Sequence, residues 1–123
     1  MERPKKTILV IEDDVASYKL IEASLKSSQL NLLHAENGIQ AIEHFDSNND
    51  IQLVLLDIRL PGLNGYEVLS HIKKTCPNLP IIAQTAYSMS DDREKCLNAG
   101  CHEYISKPIS ISKLRELVQK YIS

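Results

Sequence analysis

Short apolar runs alternate with segments of helical spacing along the chain, and this alternation limits the fold more than any other feature. The predicted strands cover 7–11, 31–35, 51–56, 80–84 and 102–105, and the predicted helices cover 15–28, 38–47, 65–75, 90–98 and 110–122. Strands that alternate with helices are typical of an α/β protein with a parallel sheet. Because the run at 51–56 is almost continuously apolar, we expect helices on both faces of that sheet.

Acidic residues follow two of the predicted strands. Glu12, Asp13 and Asp14 follow the first strand, and Asp57 follows the third, directly before a turn rich in proline and glycine at 60–65. In an open parallel sheet the carboxyl ends of the strands border the ligand crevice. We therefore expect Asp57 to be presented at this edge rather than buried, with the other acids beside it.

Two further polar residues follow the last two strands, Thr85 after the fourth and Lys107 after the fifth. Carboxylates that converge at a strand end repel one another and favour a hard cation such as Mg²⁺. With that ion present, Asp57 is a candidate nucleophile toward phosphorus, Lys107 a second cationic contact and Thr85 a hydroxyl donor. The product would be an aspartyl phosphate.

Five motifs of the chain resemble, in the same order, those of the receiver domains of two-component response regulators. They are Ile11-Glu12-Asp13-Asp14, Leu56-Asp57-Ile58-Arg59-Leu60-Pro61 with Asn64-Gly65, Gln84-Thr85-Ala86, Ala99-Gly100, and Tyr104-Ile105-Ser106-Lys107-Pro108. The resemblance implies a flavodoxin-like, doubly wound sheet of five parallel strands in the order 2-1-3-4-5, flanked by five helices. It also implies that residues 1–123 form a single domain with residues 1–6 as an N-terminal tail.

The resemblance gives roles to individual residues. It implies that Asp57 is the phosphoacceptor and that Glu12 and Asp13 hold Mg²⁺ directly or through water, with the backbone carbonyl of Arg59 as a further ligand. Lys107 would pair with the phosphoryl group, Thr85 would bond a phosphoryl oxygen, and Tyr104 would be an aromatic switch that turns inward in the phosphorylated state. The peptide bond between Lys107 and Pro108 would be cis.

The function implied by the resemblance is a phosphorylation-dependent signalling switch rather than a turnover enzyme. The phosphoryl donor would be a phosphohistidine on a sensor histidine kinase or a histidine phosphotransfer protein. A downstream effector protein would read the changed surface of the fourth helix, fifth strand and fifth helix. The segments 81–86 and 100–109 resemble receivers fused to hybrid sensor kinases, whereas Met1 is equally consistent with a stand-alone regulator. The sequence leaves open whether phosphorylation drives homodimerisation.

In the family that the chain resembles, two variable positions border the path of the hydrolytic water. Here they carry Arg59, two residues after the phosphoacceptor, and Tyr87, two residues after Thr85. We hypothesise that this bulky pair shields the phosphoryl group and slows its loss.

Three other functions are alternatives to the switch. A receiver-like scaffold would bind partners without being phosphorylated. A phosphatase of the haloacid-dehalogenase type needs a second acid two residues after its nucleophile, where this chain has Arg59. Flavodoxin-like cofactor binding needs a phosphate loop rich in serine, threonine and glycine after the first strand, which the sequence lacks.

Composition excludes some other classes. A chain of 123 residues with 43% apolar residues can form one hydrophobic core, and a net charge of −2 without a basic helix argues against nucleic-acid binding. Three cysteines without a CxxC pair favour reduced thiols over a disulfide or zinc site. The N-terminal apolar run is too short for a signal peptide or a membrane span, so we expect a cytoplasmic protein without a membrane partner.

Overall fold

The computed structural model describes residues 6–26, 29–60, 64–85 and 90–122, except for the side chains of residues 90–92. Within these ranges strands and helices alternate as β1 (Lys6–Ile11), α1 (Val15–Leu25), β2 (Leu30–Ala35), α2 (Gly38–Ser47), β3 (Ile51–Asp57), α3 (Gly65–Thr75), β4 (Ile81–Thr85), α4 (Ser90–Asn98), β5 (Glu103–Ser106) and α5 (Ile111–Ile122). Each predicted element is present. All ends agree within one residue except the end of α1.

All five strands of the described residues lie in one parallel sheet, in the order β2-β1-β3-β4-β5. The predicted fold class is therefore confirmed as a doubly wound, flavodoxin-like α/β sheet. The connection from β1 runs outward to β2, and the chain then returns to β3 on the other side of β1. The crevice between the carboxyl ends of β1 and β3 is thus the switch point at which such sheets bind ligands.

Helices cover both faces of the sheet, as the apolar run of β3 predicted. Leu53 and Leu55 pack with α1 and α5, whereas Val54 and Leu56 pack with α2, α3 and Cys96 of α4. These four residues of β3 are at most 2% exposed. Burial of each such side chain contributes roughly 1.5–3 kcal/mol, so β3 is an anchor of both cores and holds its last residue, Asp57, in a fixed position.

Helix ends follow the local chemistry. Asn64 is the N-cap of α3, where its Oδ1 accepts the backbone N–H of Glu67 at 3.1 Å and its Nδ2 donates to the Glu67 carboxylate at 3.0 Å. Gly100, just after α4, has a φ of +113°, a conformation that favours glycine. The predicted end of α1 at residue 28 is wrong, because Lys26 already leaves the helical region with a ψ of 119°.

The apolar face predicted for α5 docks on the sheet only in part. Leu114, Leu117 and Val118 are buried, and Tyr121 and Ile122 pack against the same core. Ile111 belongs to that face by spacing but is 40% exposed. It is the first residue of α5 and therefore lies at the edge of the core.

Cys76, Cys96 and Cys101 form no disulfide; Cys96 and Cys101 are buried, whereas Cys76 is exposed. In the described ranges, no helix combines the length and the apolar character that crossing a bilayer requires.

Candidate functional site

Three acids meet at the carboxyl ends of β1 and β3. Glu12 and Asp13 directly follow β1 and Asp57 is the last residue of β3, and one carboxylate oxygen from each lies within 4.8 Å of the others. Neighbouring parallel strands end at the same edge of the sheet, so the pairing of β1 with β3 brings these side chains together. The sequence predicted this convergence from strand-end positions alone.

Asp57 is more buried than the sequence suggested. Its exposure is 4%, so the expectation of a presented rather than buried side chain is wrong. Its Oδ1 accepts the backbone N–H of Arg59 at 2.9 Å, and its Oδ2 accepts from Lys107 Nζ at 3.1 Å. Both carboxylate oxygens are thus held by donors of the protein, and the carboxylate lies on the floor of the crevice.

The close approach of α3 contributes to this burial. The backbone N–H of Gly65 donates to the carbonyl oxygen of Ile58 at 3.1 Å. A Cβ at Gly65 would lie 2.6 Å from the Ile58 Cα and 3.0 Å from the Asp57 carbonyl oxygen. Only glycine allows the first turn of α3 to pack this tightly on the residue after Asp57.

Glu12 is fully buried, with 0% exposure. Its Oε1 lies 2.6 Å from Lys107 Nζ and 3.4 Å from Gln84 Nε2, and its Oε2 accepts the backbone N–H of Asp14 at 3.1 Å. Burial raises the pKa of Glu12 from 4.5 to about 7, against the lowering effect of the hydrogen bonds from Lys107 and Asp14. Glu12 is therefore a carboxylate that is costly to ionise even with the Lys107 ammonium beside it.

Lys107 supplies the cation of the site. Its backbone N–H donates to the carbonyl oxygen of Thr85 at 2.8 Å, and the peptide bond to Pro108 is cis, as the resemblance implied. Burial lowers the pKa of Lys107, but its hydrogen bonds and charge interactions with Glu12 and Asp57 outweigh burial, so the pKa lies above its usual value. Lys107 is therefore an ammonium shared by the two buried carboxylates.

The remaining predicted residues lie at different distances from this cluster. Thr85 ends β4 at 1% exposure, beside the backbone of Lys107. Tyr104 lies on β5 opposite Ala83, is half-buried, and packs against the core on the α2 and α3 side. Arg59 is exposed. Tyr87 lies outside the described residues.

Asp14 and His34 support the site without joining the acidic cluster. Asp14 is the N-cap of α1, since its Oδ2 accepts the backbone N–H and the hydroxyl of Ser17 at 2.9 and 2.8 Å. The hydroxyl bond from Ser17 is the main reason that the pKa of Asp14 lies below its usual value. His34 Nε2 lies 2.8 Å from the Glu12 carbonyl oxygen, and the His34 ring stacks on Tyr18 with centroids 3.6 Å apart.

Gln84 is a site residue to which the sequence analysis gave no role, although it lies in one of the five motifs. It is 3% exposed and contacts Glu12. The available signal was an amide that directly follows the apolar run Ile81-Ile82-Ala83 within a predicted strand, because a buried polar side chain requires a hydrogen-bond partner.

The donor set fits Mg²⁺. Glu12, Asp13 and Asp57 offer oxygen atoms only, which are the ligands of hard divalent cations. Three carboxylates against the single ammonium of Lys107 leave the cluster with an excess of negative charge when all are ionised, and a cation would offset it.

Comparison with known sequences defines the family. A sequence model of the response regulator receiver domain matches residues 8–119, so the chain belongs to the family of response regulator receiver domains. The resemblance inferred from the five motifs is confirmed, and the chain is a two-component signalling module by family.

Similarity to individual proteins is consistent with this family. The chain is 32% identical over 119 residues to the polar-differentiation response regulator DivK of Brucella anthropi, and the match covers 95% of the chain and 96% of DivK. It is 35% identical over 109 residues to a cyclic di-GMP phosphodiesterase of Thermotoga maritima, where the match covers 89% of the chain but 29% of the phosphodiesterase. The second similarity therefore concerns one part of a longer protein.

Among solved structures, the receiver domain of a sensor histidine kinase from Pseudomonas aeruginosa superposes with a TM-score of 0.85 at 34% identity, covering 96% of this chain and 98% of that chain. That receiver domain was crystallised with a magnesium ion coordinated in its active-site cleft.

Proposed function

We propose that the chain is a phosphorylation-dependent signalling switch that accepts a phosphoryl group onto Asp57 from a phosphohistidine. In this step the bond between phosphorus and the histidine nitrogen breaks, and a bond between phosphorus and an Asp57 carboxylate oxygen forms. The contact of 3.1 Å between Lys107 Nζ and Asp57 Oδ2, with two further acids converging on Asp57, carries the proposal.

Different residues of the site have different roles in this phosphoryl transfer. Arg59 N–H and Lys107 Nζ fix the two oxygens of Asp57, which orients the carboxylate as a nucleophile. Lys107 also places a positive charge where the phosphoryl oxygens would arrive. Glu12, Asp13, Asp57 and the Arg59 backbone carbonyl would hold Mg²⁺, which when bound neutralises charge that develops on the phosphoryl oxygens.

The switch would follow from the charge that phosphorylation adds, roughly −1.5 to −2 at Asp57. This charge draws Lys107 and the Thr85 hydroxyl toward the phosphoryl group, and Tyr104 turns into the space left by Thr85. The hydrogen bond from the Lys107 backbone to the Thr85 carbonyl supports coupled movement of the two residues. Because α4, β5 and α5 adjoin these residues, their surface would report the phosphorylated state to an effector protein.

Exposed apolar side chains at the carboxyl edge of the sheet support a protein as phosphoryl donor, either a sensor histidine kinase or a histidine phosphotransfer protein. Val15 and Ile111 are 61% and 40% exposed, and they are the first residues of α1 and α5, two helices that pack on the same face of the sheet. Exposed apolar groups beside a charged site are typical of surfaces that bind proteins. Cys96 and Cys101 form no disulfide, which fits a reducing compartment such as the cytoplasm.

The switch is tested by NMR with beryllofluoride, a stable mimic of the phosphoryl group, in the presence of Mg²⁺. We expect chemical-shift changes in α4, β5 and α5 in addition to those around Asp57, and a change in the ring environment of Tyr104. Asp57→Asn should abolish the changes. Binding of the mimic with shifts confined to the strand ends would instead indicate a scaffold that phosphorylation does not regulate.

Replacement of the two bulky residues Arg59 and Tyr87 is expected to shorten the lifetime of the phosphorylated state. Arg59→Asn combined with Tyr87→Ala should speed loss of the phosphoryl group by roughly tenfold, about 1.4 kcal/mol in the barrier, because water would reach the phosphorus more easily. The measurement is the decay of phosphorylated protein after removal of the donor, with Lys113→Ala at an exposed position of α5 as control. An unchanged decay rate would show that the pair does not shield the site.

A further inference from the structure

Gln84 is a buried amide next to the acidic cluster. It is the β-sheet register partner of Asp57, and its backbone carbonyl accepts the N–H of Ile58 at 3.0 Å, so its position on β4 is fixed. Its side chain is 3% exposed and reaches beyond β3 to Glu12, where Nε2 lies 3.4 Å from Oε1. The amide thus links the last residues of β4 to the acid that follows β1.

The contact between Gln84 and Glu12 differs in its effect from the contact between Lys107 and Glu12. Glu12 Oε1 receives both Lys107 Nζ at 2.6 Å and the Gln84 amide at 3.4 Å. Lys107 also contacts Asp57 and would turn to the phosphoryl group in the proposed function. A neutral amide donates a hydrogen bond without cancelling the negative charge of the carboxylate, so Gln84 can hold Glu12 in place while leaving its charge for a cation.

We propose that Gln84 is a positioning residue that orients the Glu12 carboxylate for Mg²⁺ and remains its donor when Lys107 moves away. The inference rests on the metal-binding part of the proposed function. Partners that orient the ligands of a metal ion commonly change metal affinity by 10–100-fold when they are replaced. The contact with Gln84 depends on the length of the Glu12 side chain, because an aspartate at position 12 would hold its carboxylate one carbon further from the Gln84 amide.

The test is a double-mutant cycle on Mg²⁺ affinity. Gln84→Met keeps a side chain of similar shape but removes the hydrogen-bond donor. The dissociation constant for Mg²⁺ is obtained from the backbone amide chemical shifts of Asp57 and Arg59 in an NMR titration. We expect Gln84→Met to weaken binding about tenfold in the Glu12 protein and less than about twofold in a Glu12→Asp background. Ser24→Ala, which removes a buried hydroxyl far from the site, should leave the affinity unchanged.

A second readout uses the metal-free protein and does not depend on folding of the Gln84 variant. The side-chain amide resonances of Gln84 should shift when Glu12 is replaced by aspartate, because their acceptor recedes. Equal Mg²⁺ affinity in wild type and Gln84→Met, equal effects of Gln84→Met in both backgrounds, or amide resonances insensitive to Glu12→Asp would each overturn the proposal. Metal affinity is measured without a phosphodonor, so the result is independent of whether Asp57 accepts a phosphoryl group.

Discussion

Glu12→Gln is expected to stabilise the metal-free protein at about pH 8 by on the order of 2–3 kcal/mol. The reason is the burial that raises the pKa of Glu12 from 4.5 to about 7. Because the Glu12 carboxyl binds a proton more tightly in the folded protein than in the unfolded chain, the folded protein is most stable below the pKa that Glu12 has in the unfolded chain. The stability of the protein falls as pH rises from about 4.5 through about 7, because the buried Glu12 carboxyl must ionise in this range. Glutamine mimics the protonated acid and avoids this loss.

The measurement is urea unfolding in EDTA across this pH range. Wild type should lose stability as pH rises, and Glu12→Gln should show a flatter profile. Glu43→Gln, the same substitution at an exposed position of α2, serves as control and should behave as wild type. Mg²⁺ should raise the stability of wild type at high pH and have a smaller effect on Glu12→Gln. A Glu12→Gln protein less stable than wild type at about pH 8 would contradict the electrostatic account of the site.

Lys107→Met is expected to destabilise the metal-free protein by about 3 kcal/mol at about pH 8, at the low end for removing one partner of a buried ion pair. The low end applies because the Lys107 side chain is 18% exposed. The variant leaves Glu12 and Asp57 facing each other without their shared ammonium. At about pH 5 the loss of stability should be much smaller. Glu12 is protonated at that pH, so the variant does not leave it as an unpaired buried charge.

The control is Lys113→Met at an exposed position of α5, which should change stability by no more than about 0.5 kcal/mol. A cycle with Glu12→Gln separates this electrostatic loss from the loss of packing. In the Glu12→Gln background, Lys107→Met should cost less, because one of the two carboxylates is already neutral. The same cost in both backgrounds would mean that Lys107 stabilises the fold through its aliphatic stem alone.

Strand-end positions made most of the site predictable from the sequence. Glu12, Asp57, Thr85 and Lys107 each end or follow a predicted strand, and a parallel sheet brings all such ends to one edge. The continuous apolar run of β3 likewise predicted helices on both faces. These features depend only on the order of elements along the chain, which hydrophobic periodicity reports directly.

Features that depend on contacts between distant elements could not be predicted. The burial of Asp57 depends on the tight packing of α3 at Gly65, which periodicity does not encode. The contact between Gln84 and Glu12 depends on sheet order and on register across β3. Ile111 fits the apolar spacing of α5 yet is exposed, because spacing does not say where the sheet beneath the helix ends.

The measurement that tests the phosphoacceptor most directly is intact-protein mass spectrometry after incubation with a small phosphodonor such as acetyl phosphate, with and without Mg²⁺. Wild type should gain a single phosphoryl group only when Mg²⁺ is present, and Asp57→Asn should gain none. Asp50→Asn, an exposed acid just before β3, should react as wild type. No addition to wild type under any condition, or an addition that persists in Asp57→Asn, would contradict Asp57 as the phosphoacceptor.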